Sequence, residues 1–125
     1  NKGDMYRDFT YIDDVVKSVY SLINKKPKLK ELIKYKNDSL SPVAPFRTVN
    51  IGNGNKIKLL DFINSLENEL GKKAIYNFLP MQKGDLKTTL ASTELLKNLT
   101  AFTPKTNHKV GVKKFVKWYL DYYSK

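Results

Sequence analysis

The stretch RDFTYIDD, residues 7–14, sets an arginine beside an aspartate, runs through Phe9, Thr10, Tyr11 and Ile12, and closes on two further aspartates. Its aromatic and β-branched middle suits extended backbone, while paired acids suit the positive end of a helix dipole. Just beyond it, Val15, Val16, Val19, Leu22 and Ile23 recur at the spacing of one helical stripe, so a helix is expected over 14–24. Asp13 is expected to cap that helix by accepting from orphan amide groups, with Asp14 in its first turn. A general acid–base pair is the competing reading of the two aspartates. RDFTYIDD therefore reads as a strand passing directly into a helix, with Arg7 at its entry.

The same alternation continues along the chain. FRTVNI (46–51) is apolar and β-branched and is stopped by GNGN (52–55), which predicts a strand and a turn. Leu59, Leu60, Ile63, Leu66 and Leu70 predict a second helix, with Gly71 available to end it. AIYNFLP (74–80) predicts another short strand, and Lys87–Ala91 an extended piece after an irregular loop. Ser92 is expected to cap a helix bearing Leu95, Leu96 and Leu99. Val112, Phe115, Val116, Tyr119, Tyr122 and Tyr123 predict a C-terminal helix with these residues on its buried stripe and Trp118 on the flank. The lysine-rich segment and NDSLSPVAP before residue 46 read as loop, with a short helix possible over 28–35. Short strands alternating with helices give an α/β fold class.

With 125 residues the chain has the size of one domain and is long enough to bury a core without disulfides, which the absence of cysteine excludes. No apolar run approaches the ~20 residues of a membrane span, and nothing resembles a secretion signal, so a cytoplasmic setting is expected. The net charge of +11 raises the question of nucleic acid, yet the charge is lysine spread along the whole chain, and Arg7 and Arg47 are its two arginines. KKPKLKELIKYK (25–36) reads as a solvated surface segment. The charged opening NKGDMYRDF passes straight into extended residues, which leads us to expect a fragment of a larger protein.

Chemistry-bearing constellations are scarce. His108, the single histidine, precedes a helix without an acid at orienting spacing and reads as a helix-entry residue rather than a general base. Metal-ligand clusters are absent from the spacing pattern. GNG at 52–54 lacks the third glycine of a dinucleotide loop, since Ile57 stands there, so it reads as a turn. Two features keep a binding role open. Arg7 can offer paired N–H donors to a diphosphate, or pair with Asp4 or Asp8 at the surface. In QKGD (82–85), Gly84 permits close backbone approach and Asp85 can accept two vicinal ribose hydroxyls, or the segment is simply a β-turn.

Taken together, RDFTYIDDVV (7–16), SPVAPFRTVNIGNGN (41–55), LLDFINSLENELGKKA (59–74), LPMQKGDLKTTLAS (79–92) and FTPKTNHKVGVKKFVKWYLDYY (102–123) resemble the C-terminal part of NAD-dependent nucleotide-sugar epimerases, within the extended short-chain dehydrogenase/reductase superfamily. The likeness runs in order through nearly the whole chain and is strongest to the UDP-glucuronate 4-epimerase group, with its APYR-x-YNIGN and LPMQ-x-GD motifs. It implies that residues 1–125 form the substrate-binding region, and that an N-terminal Rossmann domain carries NAD, the glycine-rich loop and the catalytic Tyr-x-x-x-Lys pair. No tyrosine of this chain has a lysine four residues on, so the chain alone is expected to hold no catalytic residue, bind no NAD and be inactive.

Further implications are residue-specific. Arg7 is similar to the family arginine on the UDP diphosphate, Asp85 to the acid on the uridine ribose, and Gln82 stands where many relatives have arginine. Lys83 replaces the usual proline of QPGD, Ser92 a common aspartate, and Ala101 a glycine that ends a helix. The resemblance implies conversion of UDP-glucuronate to UDP-galacturonate in polysaccharide-precursor synthesis, in a parent enzyme that is a homodimer. Other extended-superfamily enzymes remain alternatives: a UDP-N-acetylhexosamine epimerase, a sugar-nucleotide dehydratase or a decarboxylase. So does an independent basic module binding nucleic acid, against which the buried reading of Tyr119 and Tyr122 argues.

Overall fold

A computed structural model describes residues 2–124. In chain order its elements are β1 (Tyr6–Arg7), α1 (Ile12–Leu22), β2 (Ile57–Lys58), α2 (Leu59–Leu70), α3 (Glu94–Thr100) and α4 (His108–Tyr123). They group into two compact units interleaved along the sequence. One comprises Asn1–Phe9, Asn55–Leu90 and Thr106–Lys125; the other comprises Thr10–Gly54 and Ala91–Lys105.

The first unit is built on an antiparallel pair, β1 with β2, in the register Tyr6↔Lys58 and Arg7↔Ile57. On its other edge Tyr6 forms a single parallel bridge to Thr88, its amide donating to Lys87 O at 2.8 Å. β2 runs straight into α2, which Gly71 ends in the left-handed conformation (φ 64°), as its lack of a Cβ permits. α4 packs on α2 through Gly111, Val112 and Val116, and Phe9 stacks on Phe62 with ring centroids 3.8 Å apart. Asn107 caps α4, its side-chain oxygen accepting from Lys109 N at 2.9 Å.

In the second unit α1 packs on α3 around Ser18 and Leu96. Ser18 Oγ satisfies itself within the helix by donating to Asp14 O at 2.7 Å. The loop before residue 46 is tied down by a buried fork: Arg47 donates from Nε to Asp38 Oδ1 (2.8 Å) and from Nη2 to Asp38 Oδ2 (3.1 Å). These side chains are only 5 % and 0 % exposed, so each charge depends on the other for its solvation.

Several local expectations are corrected. α1 starts earlier than the stripe suggested: Tyr11 is its N-cap residue, without a side-chain cap, and Asp13 lies inside the first turn. Asp14 and Val15 amides both donate to Tyr11 O, and the Asp14 carboxylate instead accepts from Lys105 N at 3.1 Å. Thr93, not Ser92, occupies the N-cap of α3. Over 28–35 the chain makes a turn rather than a helix, with Lys30 at φ 61° and Glu31 Oε2 accepting from Lys28 N. FRTVNI and AIYNFLP join no ladder among the described residues, because a strand exists only through a neighbour and none is offered here. Tyr119 and Tyr122 are exposed rather than buried, since only Gly111, Val112 and Val116 of α4 face inward.

The buried apolar side chains among the described residues are few: Leu40, Leu96, Pro104, Val112 and Val116. Length therefore overstated the core. On α1 the face turned inward is the one with Ser18; of the apolar stripe Val15 and Leu22 are half-buried, while Val16, Val19 and Ile23, with Ile12 and Tyr20 beside them, are between 51 % and 74 % exposed.

Candidate functional site

Arg7 lies on β1, where pairing with Ile57 on one side and the bridge of Tyr6 to Thr88 on the other fix its backbone. Gln82–Asp85 is a β-turn: the Asp85 amide donates to Gln82 O at 3.3 Å, and Gly84 takes φ 85°, which its missing Cβ allows without strain. Across 78 residues of sequence, Arg7 Nη2 donates to Asp85 Oδ1 at 2.8 Å. The same oxygen accepts from Leu86 N at 2.8 Å. Arg7 Nη1 donates to Tyr6 O (2.9 Å), Leu86 O (2.8 Å) and, more weakly, Lys87 O (3.5 Å).

The pair is accessible, with side chains 23 % and 37 % exposed, and Asp85 Oδ2 has no hydrogen-bond partner among the described residues. A guanidinium and a half-free carboxylate side by side can serve the anionic and hydroxyl parts of one ligand. Gln82, three residues earlier in the same turn, is exposed. The structure thus brings Arg7, Gln82 and Asp85 onto one strand–turn pair. Arg7 takes neither surface partner that its sequence neighbours offered as its ion pair: Asp4 holds Lys87 Nζ at 2.7 Å, which lowers the Asp4 pKa and raises that of Lys87. Sequence reading missed both Lys87 and the carbonyl ligands of Arg7, and no local pattern marks them.

Other candidates carry less. His108 opens α4; burial, helped by Lys109 and opposed by Asp61, lowers its pKa, and its buried Nε2 meets no partner. No cluster of metal-ligating side chains exists among the described residues. Gly54 takes φ 76° ahead of β2, and an added Cβ there would meet only Thr93 Oγ1 at 4.0 Å. That is not the close backbone approach of a pyrophosphate cradle.

No family profile matches the chain. It is 44 % identical over 98 % of its length to the probable UDP-glucuronate 4-epimerase of Rhizobium meliloti, and 36 % identical over 98 % to UDP-glucuronate 4-epimerase 1 of Arabidopsis thaliana. Among solved structures it is similar to UDP-glucuronic acid 4-epimerase from Bacillus cereus in complex with UDP-glucuronic acid and NAD, at 27 % identity and TM-score 0.68 over 95 % of this chain. The chain belongs to the nucleotide-sugar epimerase family. It corresponds to the C-terminal part of these epimerases, spanning 36 % and 28 % of the two curated relatives and 34 % of the Bacillus cereus chain. The epimerases of this family are NAD-dependent isomerases. Within the described residues no helix is long and apolar enough to cross a membrane.

Proposed function

We propose that the intact protein is an NAD-dependent UDP-sugar 4-epimerase interconverting UDP-glucuronate and UDP-galacturonate in the cytoplasm, and that this chain supplies its UDP-binding side. The observation that carries the reading is the Arg7–Asp85 pair, 2.8 Å long and bridging two remote motifs of the family. Asp85 Oδ2 accepts a ribose hydroxyl, Arg7 faces the diphosphate, and Gln82 donates its amide at the edge of the same turn. NAD, held by an N-terminal domain, supplies the hydride acceptor at C4 of the sugar. The exposed apolar stripe of α1 is the surface on which that domain packs. Incubating the intact protein with NAD and UDP-glucuronate, and following the sugar by NMR, tests this: appearance of UDP-galacturonate supports it. Turnover of a UDP-N-acetylhexosamine alone moves the substrate, and inertness toward all UDP-sugars ends the reading.

A second reading rests on α4. Trp118, Tyr119 and Tyr122 are 43–59 % exposed and interleaved with Lys113, Lys114 and Lys117, the arrangement of a stacking platform for single-stranded nucleic acid. Filter binding against salt discriminates: affinity that persists at physiological salt with a steep slope favours it, and none there excludes it.

A further inference from the structure

We propose that Arg7 is a positioning residue for Asp85, a task separate from any contact it makes with phosphate. The inference rests on the reading of Asp85 as the ribose acceptor and adds how that carboxylate is held. Asp85 sits on an exposed turn whose Gly84 has left-handed backbone, and the turn's own closure is a single 3.3 Å hydrogen bond. Within the turn this carboxylate has one further anchor, the Leu86 amide donating to Oδ1 at 2.8 Å. Arg7 holds it from two directions. Nη2 fixes Oδ1 at 2.8 Å, while Nη1 grips Leu86 O at 2.8 Å and Lys87 O at 3.5 Å, and all three acceptors belong to consecutive residues.

The planar fork matters here. Its two nitrogens sit at a fixed separation and angle, so the side chain and the backbone that carries it are set relative to each other. Tyr6 O, a third acceptor of Nη1 at 2.9 Å, in turn fixes the fork to β1. Asp85 Oδ2 is then the oxygen left for a sugar hydroxyl. A lysine at position 7 keeps the charge and loses the fork, because a single ammonium on a flexible stem cannot impose that geometry.

Calorimetric titration of the intact protein with uridine, UMP and UDP decides the matter. Uridine has no phosphate, so a residue that only meets the diphosphate leaves its affinity untouched. Arg7→Ala and Arg7→Lys are each expected to weaken uridine by about 10-fold, as is Asp85→Ala. The double variant Arg7→Ala/Asp85→Ala should be no weaker than Asp85→Ala within about 2-fold, because Arg7 acts through Asp85. Unchanged uridine binding in Arg7→Ala with weakened UDP binding overturns the proposal. So does full recovery by Arg7→Lys. A ligand-free readout runs beside it: amide hydrogen exchange over 85–89 should accelerate in Arg7→Ala and stay unchanged in Lys83→Ala. If the wild-type protein binds neither uridine nor UDP, the nucleotide reading fails. Exchange then still decides the positioning role, and unaltered protection in Arg7→Ala overturns it.

Discussion

Ala101 ends α3 at φ 57° and ψ 13°, its amide donating to Lys97 O at 2.8 Å. The geometry is that of a left-handed C-cap, but the methyl group crowds the neighbouring carbonyl at a cost of roughly 1 kcal/mol. Ala101→Gly should therefore raise the stability of the intact protein by about 0.5–1 kcal/mol, read as a shift of the urea midpoint. Arg47 is the opposite case. Truncation to alanine leaves Asp38 buried without its counter-charge, and a loss of about 3 kcal/mol is expected in the same assay. Glu67 supplies the pH dependence. Its carboxylate accepts from Lys73 Nζ (2.8 Å), Ala74 N (2.9 Å) and Tyr76 OH (3.0 Å), holding the segment after α2. The Lys73 hydrogen bond above all, then the Ala74 amide, keeps its pKa below the ordinary 4.5. A carboxyl with a lowered folded pKa stabilises fully above its unfolded value and loses that contribution as pH falls through the folded one. Thermal melts from pH 7 to pH 3 should show a shallower acid loss in Glu67→Gln than in the wild type. At this scale Ala101 was legible, as an L-residue where a glycine is expected, while the partners of Arg47 and Glu67 were not, because no spacing rule names them.

At the scale of elements, the helices were readable and the strands were not. A helix closes its hydrogen bonds within four residues, so the stripes at 15–23, 59–70 and 112–123 located α1, α2 and α4. Which side of each stripe faces inward is another matter. α1 turns Ser18 toward α3 and leaves Val16 and Val19 outside, and α4 buries Gly111, Val112 and Val116 while the exposed rings of Phe115, Tyr119 and Tyr123 lean on one another in tilted pairs. FRTVNI has the composition of a buried strand and no ladder; it is held instead by the Arg47–Asp38 fork, by Ser41 N donating to Phe46 O at 2.9 Å and by the Ser39 hydroxyl, which accepts from Thr48 N at 2.9 Å. β1, by contrast, formed from two residues because β2 and Thr88 flank it.

For the whole molecule, the proposed N-terminal domain makes a quantitative demand. If it packs on α1, Val16→Lys with Val19→Lys should cost the intact protein about 3 kcal/mol, the burial of two valines. If the stripe faces water there, the change stays within about 0.5 kcal/mol, and melting temperature separates the two outcomes. The candidate site has the same dependence on distance. Arg7 and Asp85 were each legible as residues suited to a nucleotide, and the sequence by itself determined the family, the helices and the absence of a Tyr-x-x-x-Lys pair, all of which depend on residue identity and short-range order. Tertiary structure alone decided that these two side chains meet 78 residues apart, that Arg7 grips the backbone at Leu86, and that Val16, Val19 and Ile23 of the α1 stripe stay exposed. Periodicity records which residues share a face, but a face acquires a partner only when distant segments pack, and that information is spread over the entire chain rather than held in any stretch of it.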